Sequence, residues 1–318
     1  MGCHQELPNE NIYYKNETLF NKKLENLSDA YKKNKKSIAV VTDFDYTMTA
    51  RYNYIDGTSF KSTYYLYDDD IIGGDQKKLD QAYKDLANEY SNYEFNTEYD
   101  FETRNKKTKE WYEKSLSLYA NERLTKESID KMVKKTLGNI LFRRKVKKYI
   151  EILLKMEIPI IIESGGITQF IIAALKTIIK DVEKYIEEKK IIIISNSFKF
   201  DEISNKCTGL EHEVIYCFNK ANFLGDNVNK LFPELTHILV LGDNLGDADS
   251  VKNINILKEN ILGFGFLNLE PKTINDDTKK EYINEKINEY KELFDVVLVG
   301  DMDYQPIIGY LQKLEIKN

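Results

Sequence analysis

Five short runs dominated by isoleucine, valine and leucine constrain this chain most: Ile38 to Thr42, Ile158 to Ile162, Ile191 to Ile194, Ile238 to Leu241 and Val296 to Val299. Runs this short and this rich in β-branched residues suit strands buried on both faces. Helical patterns lie between them, at Lys145 to Lys155, Thr168 to Ile179 and Thr273 to Leu293. Strands alternating with helices predict an α/β fold built on a Rossmann-like parallel sheet. Ligands of such sheets gather at the carboxyl ends of the strands, and there this chain places its polar residues.

The rhythm breaks between Tyr52 and Leu141. Polar, tyrosine-rich sequence there carries helical stretches around Lys78 to Tyr90, Lys106 to Tyr119 and Lys126 to Leu137. Residues 1–51 and 142–318 are therefore expected to form the α/β core. Residues 52–141 are expected to form an inserted, mostly helical cap, because the segment leaves just after the first strand and returns before the second.

Composition narrows the function classes. With 42% hydrophobic and 31% charged residues the chain reads as soluble and globular, and no run approaches the roughly 18 apolar residues of a membrane span. A net charge of -6 offers no global field for a nucleic-acid polymer, although one cleft can still attract a small phosphate ester. Cys3, Cys207 and Cys217 form neither an even set nor a close pair, so reduced thiols in a cytoplasmic protein are expected. Met1-Gly2-Cys3 is similar to the start of acylated proteins, but Glu6 stands where that pattern wants Ser or Thr, which counts against a lipid anchor. His4, His212 and His237 form no set with a serine or cysteine. No feature points to a protein partner, and a monomer is expected.

The first strand ends in Asp43-Phe44-Asp45-Tyr46-Thr47. Alternate side chains of extended backbone share a face, so both acids start on one side before the turn separates them. One carboxylate beside Mg2+ can attack phosphorus, and the other can hand a proton to the leaving alkoxide. Such acid pairs also occur as plain turn residues, so the other strand ends decide. Glu163-Ser164-Gly165-Gly166 precedes a helix and offers a hydroxyl with backbone amides to a phosphate, or else a simple N-cap. Lys220 opens a helical stretch after an apparent hairpin, where its charge could neutralise phosphoryl oxygens. Gly242-Asp243-Asn244-Leu245-Gly246-Asp247 follows the buried run Ile238 to Leu241. Asp243 suits a magnesium ligand there, with Asp247 orienting the groups around it.

The order DxDxT, Ser, Lys, GDxxGD resembles the haloacid-dehalogenase superfamily. More narrowly, the chain is similar to the pyrimidine 5′-nucleotidase family, also called cytosolic 5′-nucleotidase III. Tyr93-Glu94, Trp111-Tyr112-Glu113-Lys114-Ser115, Val214 to Lys220, Asp295 to Val299 and Leu311-Gln312-Lys313 carry that likeness beyond the core motifs. The resemblance implies magnesium-dependent hydrolysis of CMP and UMP through an aspartyl-phosphate intermediate. Asp43 would be nucleophile and metal ligand, Asp45 the acid/base and a ligand through its carbonyl, and Asp243 the third protein ligand. Thr47, Ser164, Gly165 and Lys220 would hold the phosphate, and Glu94, Trp111, Tyr112 and Ser115 the nucleoside. Gly165 replaces a usual Ala, Thr168-Gln169 replaces a usual Gly-Asp, and Ala50 to Asp70 matches poorly. Tyr112, where a second tryptophan would suit 7-methylguanosine monophosphate, favours a pyrimidine. Another small phosphomonoester as substrate, or a nucleotide-binding protein without catalysis, are the competing readings.

Overall fold

A computed structural model of the chain describes residues 11–96, 98–121, 123–136 and 142–315. Gly2, Cys3 and His4 lie outside them, and with them the expectation about acylation. The strands are β1 Ile12–Tyr14, β2 Ile38–Asp43, β3 Ile160–Ile167, β4 Ile191–Asn196, β5 Phe198–Phe200, β6 Cys207–Leu210, β7 His237–Gly242, β8 Ile261–Leu267 and β9 Val296–Val299. The helices are α1 Glu17–Lys33, α2 Gln76–Phe95, α3 Phe101–Tyr119, α4 Lys126–Thr136, α5 Val146–Met156, α6 Thr168–Leu175 and α7 Val182–Glu187. They continue with α8 Lys220–Leu231, α9 Leu245–Asp249, α10 Pro271–Ile274, α11 Lys280–Leu293 and α12 Gln305–Glu315.

Seven strands form one sheet in the order β1-β9-β8-β7-β2-β3-β4, with β5 and β6 as a separate hairpin. All neighbours in the large sheet are parallel except β1 against β9. Strand alternation sorts the core. Ile38, Val40, Leu239 and Leu241 pack with Phe20 of α1, Ile150 of α5 and Leu311 of α12. Ala39, Val41, Ile238 and Val240 pack with Leu224 and Val228 of α8. Each of the larger side chains so buried contributes about 1.5–3 kcal/mol of transfer free energy. From β2 the chain builds outward to β3 and β4, then returns to place β7 on the other flank of β2. This reversal opens a crevice at the carboxyl ends of β2 and β7, where parallel sheets bind ligands.

Residues 52–136 carry α2, α3, α4 and the short 3-10 turns Thr63–Tyr65 and Asp69–Ile72. Entry and exit lie side by side, since Thr49 bridges Phe142 and the Arg143 N–H donates to the Met48 carbonyl at 3.0 Å. Leu66, Tyr67, Leu116, Tyr119 and Met132 join the same buried cluster as β2 and β3.

Several elements differ from the sequence reading. β3 runs on to Ile167, with a break in register between Glu163 and Ile167 where the two glycines fall. The helix expected from Thr273 to Leu293 is interrupted: α10 stops at Ile274, and Asp276 accepts from the Thr278 N–H to cap a new turn. Asn and Asp compete with helical bonding in this way. α1 and β8 were not anticipated. In β8, Gly263 and Gly265 dilute the apolar run, and they are there because Phe294 lies against them: a Cβ on Gly265 would sit 2.6 Å from that ring.

Candidate active site

The crevice collects acids from three elements. Asp43 is the last residue of β2, Asp243 follows the end of β7, and Asp247 lies in α9. One carboxylate oxygen from each falls within 4.8 Å of the others. Lys220, the first residue of α8, reaches into the group with Nζ 3.3 Å from Asp43 Oδ1 and 3.2 Å from Asp247 Oδ1. Burial raises the Asp43 carboxyl well above its usual range; Lys220 opposes this, while Asp247, Asp243 and Asp45 add to it. Burial followed by Asp247 lifts Asp243 to about 7. Burial works against the Lys220 charge, but Asp247 and Asp43 outweigh it and hold the ammonium well above its usual range. Three carboxylates converge here on one lysine, so the acids outnumber the cation that bonds them. A divalent cation with oxygen ligands fits that excess.

Asp247 is committed elsewhere. Its Oδ2 accepts from the backbone N–H of Asp243 at 3.1 Å and of Asn244 at 3.0 Å, closing a capping box at the start of α9. Its other oxygen takes Lys220. This one carboxylate bonds the Asp243 loop and the lysine together. Gly242 is required beside it, because a Cβ there would meet the Asp247 Cβ at 2.3 Å.

The loop after β2 is fixed by residues that no motif announced. Tyr46 has φ +64°, a conformation that a bulky residue adopts at a cost. Its carbonyl accepts from Arg143 Nη2 at 2.8 Å and Asn268 Nδ2 at 2.9 Å, and its N–H donates to Thr49 Oγ1 at 2.8 Å. Arg143 also donates Nε to the Thr47 carbonyl at 2.9 Å and lies 4.4 Å over the Phe266 ring. Thr47 is fully buried, and its hydroxyl has no partner among the described residues. What Thr47 visibly contributes is its carbonyl. Asn268 Nδ2 reaches on to Asp243 Oδ2 at 3.2 Å, joining the two acidic loops.

Asp45 accepts two bonds from one residue, Thr63: the N–H at 2.7 Å and the hydroxyl at 2.6 Å. Burial raises its carboxyl to about 6, the Thr63 hydroxyl and N–H pulling the other way. Ser164 is buried, and its Oγ accepts from the Gly166 N–H at 3.0 Å. Asn196, the last residue of β4, donates to the Gly165 carbonyl and exchanges bonds with both backbone groups of Ile215 at 2.8–2.9 Å. It thereby pins the Ser164 turn to the loop that leads to Lys220.

The helical segment closes above this floor. Tyr112 of α3 lies 3.5 Å from where a Gly165 Cβ would be, with Tyr64 at 5.9 Å and Tyr216 at 6.0 Å between ring centres. Glu94 is the penultimate residue of α2; burial raises its carboxyl, with Cys217, Lys220 and Arg104 opposing. Ser115 is buried one turn after Tyr112, where its carbonyl accepts from the Tyr83 hydroxyl at 3.5 Å. Trp111 stands one step out, edge-on to Tyr112 at 5.9 Å. The structure therefore gathers Asp43, Asp45, Ser164, Gly165, Lys220, Asp243 and Asp247 on the floor, with Tyr112 and Glu94 over it. His212 bonds the Glu213 and Ser195 carbonyls and takes no part in the acid cluster. Among the described residues no helix is long and apolar enough to cross a membrane.

Comparison with known proteins follows the same lines. Residues 46–315 match the family described as Pyrimidine 5′-nucleotidase (UMPH-1). A putative cytosolic 5′-nucleotidase 3 of Caenorhabditis elegans is 27% identical over 86% of this chain and 67% of its own length. The 7-methylguanosine phosphate-specific 5′-nucleotidase A of Xenopus laevis is 27% identical over 89% of both chains. A crystal structure of cytosolic 5′-nucleotidase IIIB bound to cytidine superposes with a TM-score of 0.73 at 19% identity, covering 96% of this chain and 93% of that one. The match begins at Tyr46, in the turn after the two strand-end acids, and continues into the last helix, so this chain belongs to the pyrimidine 5′-nucleotidase family and is a phosphomonoester hydrolase, a 5′-nucleotidase.

Proposed function

We propose that the chain hydrolyses the pyrimidine nucleotides CMP and UMP to nucleoside and phosphate, with Mg2+ as cofactor and a phosphorylated Asp43 as intermediate. The observation that carries this is Lys220 set between Asp43 and Asp247 in the crevice beside β2, near enough to Tyr112 and Glu94 for its charge to act on both. Asp43, the Asp45 carbonyl and Asp243 are the residues that would hold the ion. Bound there, Mg2+ supplies charge neutralisation for the phosphoryl oxygens.

The protein groups divide the remaining work. An Asp43 oxygen forms a bond to phosphorus as the P–O5′ bond breaks, and Asp45 gives its proton to O5′. Lys220 and the amides around Ser164 and Gly165 hold the non-bridging oxygens as charge shifts onto them. Water then attacks the phosphoryl group on Asp43 while Asp45 takes back a proton, and phosphate leaves. Thr47 supports the phosphate-binding loop through its clamped carbonyl. Glu94 accepts from a base amino group, beside the Tyr112 and Tyr64 rings. Residues 52–141 act as the cap over a core of residues 1–51 and 142–318. The relatives named cytosolic support a cytoplasmic location, and the nucleotide itself is the expected partner.

A second reading has support in the Xenopus relative, whose name specifies 7-methylguanosine phosphate, and in the Tyr64, Tyr112, Tyr216 group, since a methylated, cationic purine favours aromatic faces. Phosphate release from CMP, UMP, 7-methylguanosine monophosphate and phosphoserine, each with and without Mg2+, tests all of this. CMP and UMP should lead and require the metal. Preference for the methylated purine installs the second reading, preference for phosphoserine removes both, and turnover without metal removes the cofactor.

A further inference from the structure

Thr63 belongs to no motif and lies in the stretch between β2 and α2, yet it is the residue most closely tied to Asp45. Its backbone N–H donates to Asp45 Oδ1 at 2.7 Å and its hydroxyl to Oδ2 at 2.6 Å, so one residue holds both carboxylate oxygens. The side chain is fully buried, which rules out an incidental surface contact. Gly166 leaves the room for it: a Cβ on that glycine would fall 2.2 Å from Thr63 Oγ1, 3.0 Å from Asp45 Oδ2 and 3.1 Å from Ser164 Oγ. The hydroxyl therefore stands where the acid, the Ser164 turn and the inserted segment meet.

We infer that Thr63 is a positioning residue for leaving-group protonation: it fixes the Asp45 carboxyl in the rotamer that faces the departing oxygen, and it does so from the inserted segment. Two bonds to one planar group set both its position and its rotation about Cβ–Cγ, which a single bond would leave free. Proton transfer contributes on the order of 10²–10⁴ in rate and demands hydrogen-bond reach, and a misplacement of about 1 Å is enough to lose 10²-fold. Because residues 52–136 supply Thr63 as well as Glu94 and Tyr112, the segment that holds the nucleoside also aims the acid. This inference rests on the reading of Asp45 as general acid.

The test separates leaving-group protonation from every other step. In CMP the departing O5′ must be protonated. In its 5′-thio analogue, with sulfur in the bridging position, the departing thiolate needs no proton, while base, sugar and phosphate are unchanged. The ratio of kcat/KM for CMP to that for the thio analogue should fall about tenfold in Thr63→Val, which keeps shape and N–H but loses the hydroxyl, and recover in Thr63→Ser. Asp45→Asn should lower the same ratio by about 10² or more. A wild-type ratio in Thr63→Val alongside a reduced one in Asp45→Asn overturns the role of Thr63 and leaves the acid assigned. A wild-type ratio in Asp45→Asn overturns the acid itself. A rise in the ratio for Thr63→Val would mean that Thr63 holds the acid away from the leaving group, and would also overturn the inference. Turnover of the thio analogue shows in the same assay that each variant is folded.

Discussion

Two neighbouring glycines show how much one carbon decides in this site. A Cβ on Gly165 meets Tyr112 at 3.5–3.6 Å, ordinary contact, whereas one on Gly166 would intrude on Thr63 Oγ1 at 2.2 Å. Thr63 is buried and branched at Cβ, so it cannot swing clear without releasing Asp45. Gly165→Ala should keep kcat within about twofold, and Gly166→Ala should lose at least tenfold; equal effects in steady-state assays would show that the Thr63 position does not matter. Asp43 is the sharper case. Asn is isosteric but neither nucleophilic nor able to form the acyl phosphate, so Asp43→Asn should release no phosphate above background. It also relieves a carboxylate crowded by Asp247, Asp243 and Asp45, so its melting temperature should equal or exceed that of the wild type without metal. Retained turnover would take the nucleophile's role from Asp43.

At the level of elements, legibility followed distance along the chain. β2, β7 and β9 announced themselves because a strand buried on both faces must be apolar at each position, β4 through its run of four isoleucines, and the carboxyl ends of β2 and β7 pointed to Asp43, Asp243 and Asp247. The residues that hold those ends in place were not legible, because their partners lie far off in sequence: 18 residues separate Thr63 from Asp45, 31 separate Asn196 from Gly165 and 222 separate Asn268 from Tyr46. Arg143 was hidden inside the basic run Arg143-Arg144-Lys145, which reads as a solvated surface although Arg143 itself is buried. Asn196 gives this a measurable form. Its amide joins β3, the end of β4 and the loop before α8, and Asn196→Ala strands the Gly165 and Ile215 backbone groups without a partner. That should cost about 2–3 kcal/mol in urea unfolding and raise KM for the nucleotide, because Ser164 and Lys220 lose their common anchor. A variant with the wild-type unfolding midpoint and KM would show the latch to be dispensable.

Across the whole molecule, the sheet order concentrates charge: by returning to flank β2 with β7, the chain brings Asp43, Asp243 and Asp247 to one crevice with a single lysine. In the metal-free protein this arrangement opposes folding near neutral pH, and the sign follows from the shifts. Asp243, raised from 3.8 to about 7, binds more protons folded than unfolded between those values. Its contribution is favourable below the unfolded value and is lost as the pH rises through about 7, and Asp43 is shifted in the same direction. A divalent cation bound here would replace those protons and stabilise the folded state by mass action, about 2.7 kcal/mol at a hundred times its dissociation constant, or roughly 4 °C in a chain of this size. Protons and metal compete for the same carboxylates, so the gain should grow with pH. Melting temperatures measured with chelator and with saturating Mg2+ should differ by a degree or less at pH 5 and by several degrees at pH 7.5, and Asp243→Asn should shrink the difference at pH 7.5. A gain that is independent of pH, or that survives intact in Asp243→Asn, would place the ion somewhere other than this crevice.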